Sequence, residues 1–266
     1  MNVVVAVFRF AVALLALVAT HEIWLEGDLD GLVYFTNQSG LMLAVVMTWA
    51  GLASLRQAGL LPGRWRVAQP PAWLKGAVTL FLAITGLIAH FVLEPPDPTL
   101  APTFLGLTSA QIEHQITPVC AVIDFVLCDG HRRLRWANAF WWLTYLYAYA
   151  VFALVRAELL ATPDYPYGFI DLGELGWGGL ATNIAIYSVG FLVLGLVLVA
   201  VDRAMRPRAV LGTAGADYGA PDDAAADEAA ADDAMGPTDA PPTDAPPTDA
   251  PSVRPAAAGP TSAPTA

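Results

Sequence analysis

IEHQITPVCAVIDFVL, residues 112–127, is apolar enough to span a bilayer as a helix, yet it carries Glu113, His114 and Asp124. A charged side chain at the centre of a membrane helix costs about 2.5–3.5 kcal/mol on insertion scales. A helix that holds such groups must face protein, water or an interface, so this stretch belongs inside a helical bundle. Ionisable groups at membrane depth point to function by default.

The rest of the chain supports that reading. Of its 266 residues, 56% are hydrophobic and only 14% charged, and its mean hydropathy is +0.53. Soluble domains carry about a quarter charged residues, so a soluble globular protein is excluded. Six windows have the length of about 17–25 residues that spans a bilayer core: 2–20, 36–55, 76–93, 112–128, 136–156 and 180–201. They predict an all-α, polytopic membrane protein with six transmembrane helices in one bundle, residues 1–205. The first window is a retained helix and not a signal peptide, because the apolar run MNVVVAVF precedes Arg9 where a basic segment should stand. Arg9 is expected to snorkel to the inner interface.

Loop charge sets the orientation. Arg56, Arg64, Arg66 and Lys75 lie in one connection, His131, Arg132, Arg133 and Arg135 in another, and Arg203, Arg206 and Arg208 follow the last window. The positive-inside rule makes these cytoplasmic, with both termini on that side of the membrane. The other three connections are acidic or proline-rich and belong outside. From residue 206 to 266 the composition shifts to Ala, Asp, Pro and Thr, with three copies of PTDAP across 237–251. Such a segment lacks the apolar surface to offset its ordering entropy, and is expected to be a disordered cytoplasmic tail of unassigned partner. It holds −7 of the formal net charge of −11. Basic residues are few and scattered, so nucleic acid is not an expected partner; membrane lipids are. Cys120 and Cys128 stand about 12 Å apart along one helix and cannot pair there.

This topology brings polar residues of all six helices to one depth near the outer leaflet. Thr36, Asn37, Gln38 and Ser39 open the second helix, Glu113, His114 and Thr117 the fourth, and Thr182 and Asn183 the sixth; His21 and Glu22 arrive from the first, His90 from the third, and Arg156 and Glu158 from the fifth. A Thr hydroxyl and an imidazole at one depth form a candidate nucleophile and general base. Asn37, Gln38, Ser39 and Asn183 are candidates for oxyanion stabilisation or substrate positioning. The chemistry implied is hydrolysis of an acyl ester, with a lipid ester entering sideways from the leaflet and no cofactor required. Thr36 has an alternative use as an N-cap. Asp124, about 15 Å deeper than His114, is read with Thr117 as structural polarity. A second class stays open: a non-enzymatic protein in which His21, His90 and His114 hold a metal or haem. A third treats the polar layer as interhelical hydrogen bonding alone.

Three stretches, YFTNQSGLM at 34–42, EHQITPVCAVIDFVL at 113–127 and YPYGFIDLGELGWGG at 165–179, together resemble the androgen-induced-protein family of six-pass membrane hydrolases, over about residues 3–205. The resemblance implies an intramembrane threonine hydrolase, with its Thr at Thr36 and its His at His114. It also implies esters of hydroxy fatty acids as the substrate class in animal members. The PTDAP tail lies outside it.

Overall fold

A computed structural model describes residues 1–93 and 101–212. The expected disordered tail lies outside the described residues from 213 onward. All regular structure among the described residues is helical: α1 (Asn2–Ala19), α2 (Phe35–Gln57), α3 (Ala72–Phe91), α4 (Ser109–Gln111), α5 (Thr117–Ile123), α6 (Trp136–Leu159) and α7 (Leu172–Ala204). Five of these, α1, α2, α3, α6 and α7, are long and apolar enough to cross a membrane. The chain is a multi-pass helical membrane protein. Along the outward face of α7, Ile186, Val189, Val193 and Val197 are exposed at helical spacing, as a lipid-facing stripe requires.

The polar stretch at 112–128 is helical but not a uniform α-helix. It runs from α4 through a π-helical turn at Ile112–Ile116 into α5, and ends in a second π-helical turn at Asp124–Cys128. Pro118 gives the first irregularity a cause, because it has no N–H to donate to the His114 carbonyl. Close approach of α3 covers that point: a Cβ on Gly86 would come within 3.1 Å of Pro118 Cβ and 3.3 Å of His114 O. Helix α7 also breaks, at Gly176, whose φ of 62° favours glycine.

Small residues let α1 and α2 approach closely. Ala13 and Ala16 of α1 pack with Leu43, Ala44 and Met47 of α2 and with Val78 and Leu82 of α3. Gly51 receives the Phe10 ring at a separation where a Cβ would sit 3.0 Å from it. Such contacts replace the hydrophobic drive that lipid removes. A second core joins α3, α6 and α7 through Phe81, Leu134, Trp142 and Val199.

Arg9 does not snorkel. It is fully buried, and its guanidinium reaches Asp124 Oδ1 at 2.7 Å and Asp129 Oδ1 at 2.8 Å. Lys75, assigned by charge to a loop, stands in the first turn of α3, is 3% exposed, and pairs with Asp124 and with Asp129, the latter at 2.5 Å. Ser54 Oγ accepts from Arg9 at 2.9 Å, and Gln69 Oε1 and the Ala50 and Cys128 carbonyls accept further bonds. The reason is electrostatic: two carboxylates offered at the same depth neutralise both cations, which stretching one side chain to an interface would not do. The cluster ties α1, α2, α3 and the 109–128 helix together at one end of the bundle.

At that end the 129–135 connection is clipped to α7. Asp202 accepts from the backbone N–H groups of Arg133 (2.9 Å) and Leu134 (2.8 Å). Residues just past α7 fold back, with Pro207 O accepting from His131 N and Leu127 O from Leu211 N. His131 Nδ1 lies 3.4 Å from Asp202 Oδ1, and Nε2 donates to Val126 O at 3.1 Å. Burial opposes the charged imidazole, but the adjacent Asp202 carboxylate, the bond to Val126 O and the Asp129 charge outweigh it and hold its pKa above the ordinary value.

Asp124→Ala leaves Arg9 and Lys75 buried with one carboxylate fewer and should destabilise the protein by about 3–5 kcal/mol, read by thermal unfolding in detergent; Ser54→Ala, which removes one acceptor, should cost about 1 kcal/mol. A raised histidine pKa stabilises the fold fully below the unfolded value, and that contribution disappears as pH rises through the folded value. The unfolding temperature should therefore fall as pH rises through and above neutrality, and His131→Asn should flatten that slope.

Candidate active site

Thr36 is the second residue of α2, and Tyr34, not Thr36, occupies the N-cap position. Its hydroxyl is therefore free of the capping role. Phe35 fixes the start of the helix by packing edge-on against Phe81 (centroids 5.7 Å apart) and Tyr149 (5.2 Å). That anchor directs the next residue inward, and Thr36 is 8% exposed.

Three segments meet at the Thr36 hydroxyl. His114 Nε2, from the π-helical turn, lies 3.4 Å from Thr36 Oγ1, and the Tyr167 hydroxyl lies 3.5 Å from it. For Nε2 to accept from the threonine, the neutral imidazole carries its proton on Nδ1. Both separations are at the long end of hydrogen bonding. Tyr167 stacks on Phe169 at 5.1 Å and meets Tyr34 edge-on at 6.2 Å. Burial raises its pKa even though bonds to Thr36 and nearby backbone groups pull the other way, so the hydroxyl keeps its proton at neutral pH and is able to donate a hydrogen bond.

The remaining polar candidates hold the scaffold. Asn37 Nδ2 donates to Gly31 O at 2.8 Å and Gln38 Nε2 to Leu32 O at 2.7 Å, pinning the 3-10 turn at Leu29–Val33 to α2. Gln38 Oε1 in turn accepts from Tyr145 at 2.6 Å. Ser39 donates to the Thr36 carbonyl at 2.9 Å and lies 3.2 Å from Thr85 Oγ1. Asn183 Nδ2 donates to Phe169 O at 3.0 Å and so holds the loop that presents Tyr167. Thr117 turns its hydroxyl to Glu113 O at 3.3 Å within its own helix, and a carboxylate oxygen of Glu113 is buried without a hydrogen-bond partner. Asp124 belongs to the ionic cluster.

The three histidines do not converge as a ligand set. His21 Nδ1 is bonded to Val18 O at 3.0 Å, and His90 packs edge-on against Phe91. Among the described residues, no three His, Cys, Asp or Glu side chains form a group able to hold a metal ion.

Tyr167 is not legible as a site residue from the sequence. Its only signal was the YPYGF motif between two helices, and a loop tyrosine has no helical register from which to infer depth. The site borders two cavities: Thr36 and Tyr167 wall one of about 90 Å³, and His114 walls a groove of about 1000 Å³. No protein-family model matches this chain, and no curated protein or solved structure matches it.

The amide assignments are testable by stability. Asn37→Ala and Asn183→Ala each remove a donor to a backbone carbonyl and should each cost about 1 kcal/mol in thermal unfolding.

Proposed function

We propose that this protein is a membrane hydrolase of lipid esters with a long acyl chain, in which Thr36 is the nucleophile and His114 the general base and acid. The observation that carries the reading is the 3.4 Å approach of Thr36 Oγ1 to His114 Nε2 beside two apolar cavities. The two residues are 78 positions apart in sequence. The motif resemblance to the androgen-induced-protein family points to the same pair.

In this mechanism His114 Nε2 takes the Thr36 proton as Oγ1 attacks the ester carbonyl carbon. The carbonyl π bond opens to an oxyanion, and the Tyr167 hydroxyl, 3.5 Å from Oγ1, donates to the charge developing beside it. Collapse breaks the bond to the alcohol oxygen, which leaves with the proton from His114. Water then gives a proton to His114 and attacks the acyl-threonine, and Thr36 departs with that proton restored.

The same reading has the chain cross a bacterial cytoplasmic membrane six times, with 109–128 as the fourth span, the basic connections and both termini inside, and the site toward the outer leaflet. Lys75, used in the ionic cluster, drops out of the loop charge, but Arg64 and Arg66 remain there and Arg56 stands in the last turn of α2 beside them.

The deciding experiment is hydrolysis of long-chain esters by purified protein in lipid nanodiscs. Thr36→Ala should abolish turnover and Thr36→Ser should retain some of it. His114→Ala should lower kcat by about a hundredfold to ten-thousandfold. Tyr167→Phe should lower it by about a hundredfold or more, the effect of removing one oxyanion-type donor. Wild-type rates in Thr36→Ala and His114→Ala would sink the proposal and favour a purely structural polar layer.

A further inference from the structure

Thr36 lies in the wall of one cavity and His114 in the wall of the other. The first is a slot between α3, α6 and α7. Its walls extend from Leu143 to Ala150 on α6 and from Ile184 to Phe191 on α7, a run of about 10 Å on each helix at the α-helical rise. Over that length it offers only about 90 Å³, so it is narrow. The second is the groove between α3 and the 109–128 helix, walled by Ala89, His90, Val119 and Val122, and its space of about 1000 Å³ is roughly ten times larger. Leu93 borders both.

We propose that the two cavities divide one ester at its carbonyl: an unbranched acyl chain lies in the slot, and a bulky alcohol occupies the groove. This inference rests on the hydrolase reading and extends it to a substrate class. The assignment of sides follows from the bonds made and broken. A new bond joins Thr36 Oγ1 to the carbonyl carbon, so the acyl group stays attached to the residue that walls the slot. The bond that breaks releases the alcohol oxygen, which takes its proton from His114 Nε2, the residue that walls the groove. A narrow slot admits a chain in single file and excludes a branch or ring, whereas the groove excludes neither.

The test uses the full-length protein in nanodiscs with two ester series. One varies the acyl group from acetyl to palmitoyl, with branched isomers, on a fixed alcohol. The other varies the alcohol from methanol to a sterol on a fixed acyl chain. Ala150→Leu and Ser188→Leu fill the slot from two different helices; Ala89→Leu and Val119→Trp fill the groove from its two walls. Two substitutions per cavity keep the comparison readable if one variant does not fold.

Slot variants should shift the preferred acyl chain to shorter lengths, with about a tenfold or greater loss in kcat/KM for the longest, and leave the order of alcohols unchanged. Groove variants should reorder the alcohols and leave the acyl preference unchanged. Wild-type preference for branched acyl groups, or variants that scale every substrate alike, would overturn the division while leaving the hydrolase reading intact. Failure of the wild type to hydrolyse any ester in either series would overturn the hydrolase reading itself, and the division with it.

Discussion

Removing a guanidinium, an ammonium and two carboxylates from water costs several kcal/mol per ion, so Arg9, Lys75, Asp124 and Asp129 can be buried only as a group. Each belongs to a different stretch of chain or to a different turn, and the group closes only when α1, α3 and the 109–128 helix stand at one relative depth. Ser54 adds α2 to the same set through Arg9. A one-residue slip of any of these helices would rotate its ion about 100° out of the cluster. The cluster therefore acts as a register lock, a use for which buried polar groups are well suited.

That lock lies far from the candidate site but on the same rods. Thr36 is at the opposite end of α2 from Ser54, and His114 precedes Asp124 by ten residues, about 15 Å along the axis. Fixing depth at one end fixes which residues meet at the other. The π-helical turn around His114 and the bare face of Gly86 then set the rotation and closeness with which the imidazole meets Thr36. π-bulges commonly occur at functional sites for this reason, since they re-aim a side chain without ending the helix.

Most of the polarity near the site is committed to holding it together. Asn37, Gln38 and Asn183 satisfy backbone carbonyls of the turns at 29–33 and 168–170, each of which would carry a cost of kcal/mol order if buried without a partner. The hydroxyl of Tyr167 is left facing Thr36, presented by a loop that Asn183 fastens. Donor type is visible in a sequence, but the commitment of these amides to backbone carbonyls is not.

The sequence by itself determined the helical membrane class, because hydropathy is a local property that sums along each segment without knowledge of neighbours. It also suggested Thr36 and His114 as neighbours, from their positions near helix ends and from the quoted motifs, and the structure brings their side chains to 3.4 Å. It placed Arg9 at an interface and Lys75 in a loop, because neither shows its partner until α1 and α3 have a rotation about their axes. Tertiary structure decided the ionic cluster, the approach of Tyr167 to Thr36 and the separation of the two cavities. Each depends on azimuth and on how closely two backbones approach, which Gly51, Gly86 and Pro118 permit but do not reveal until the helices are packed.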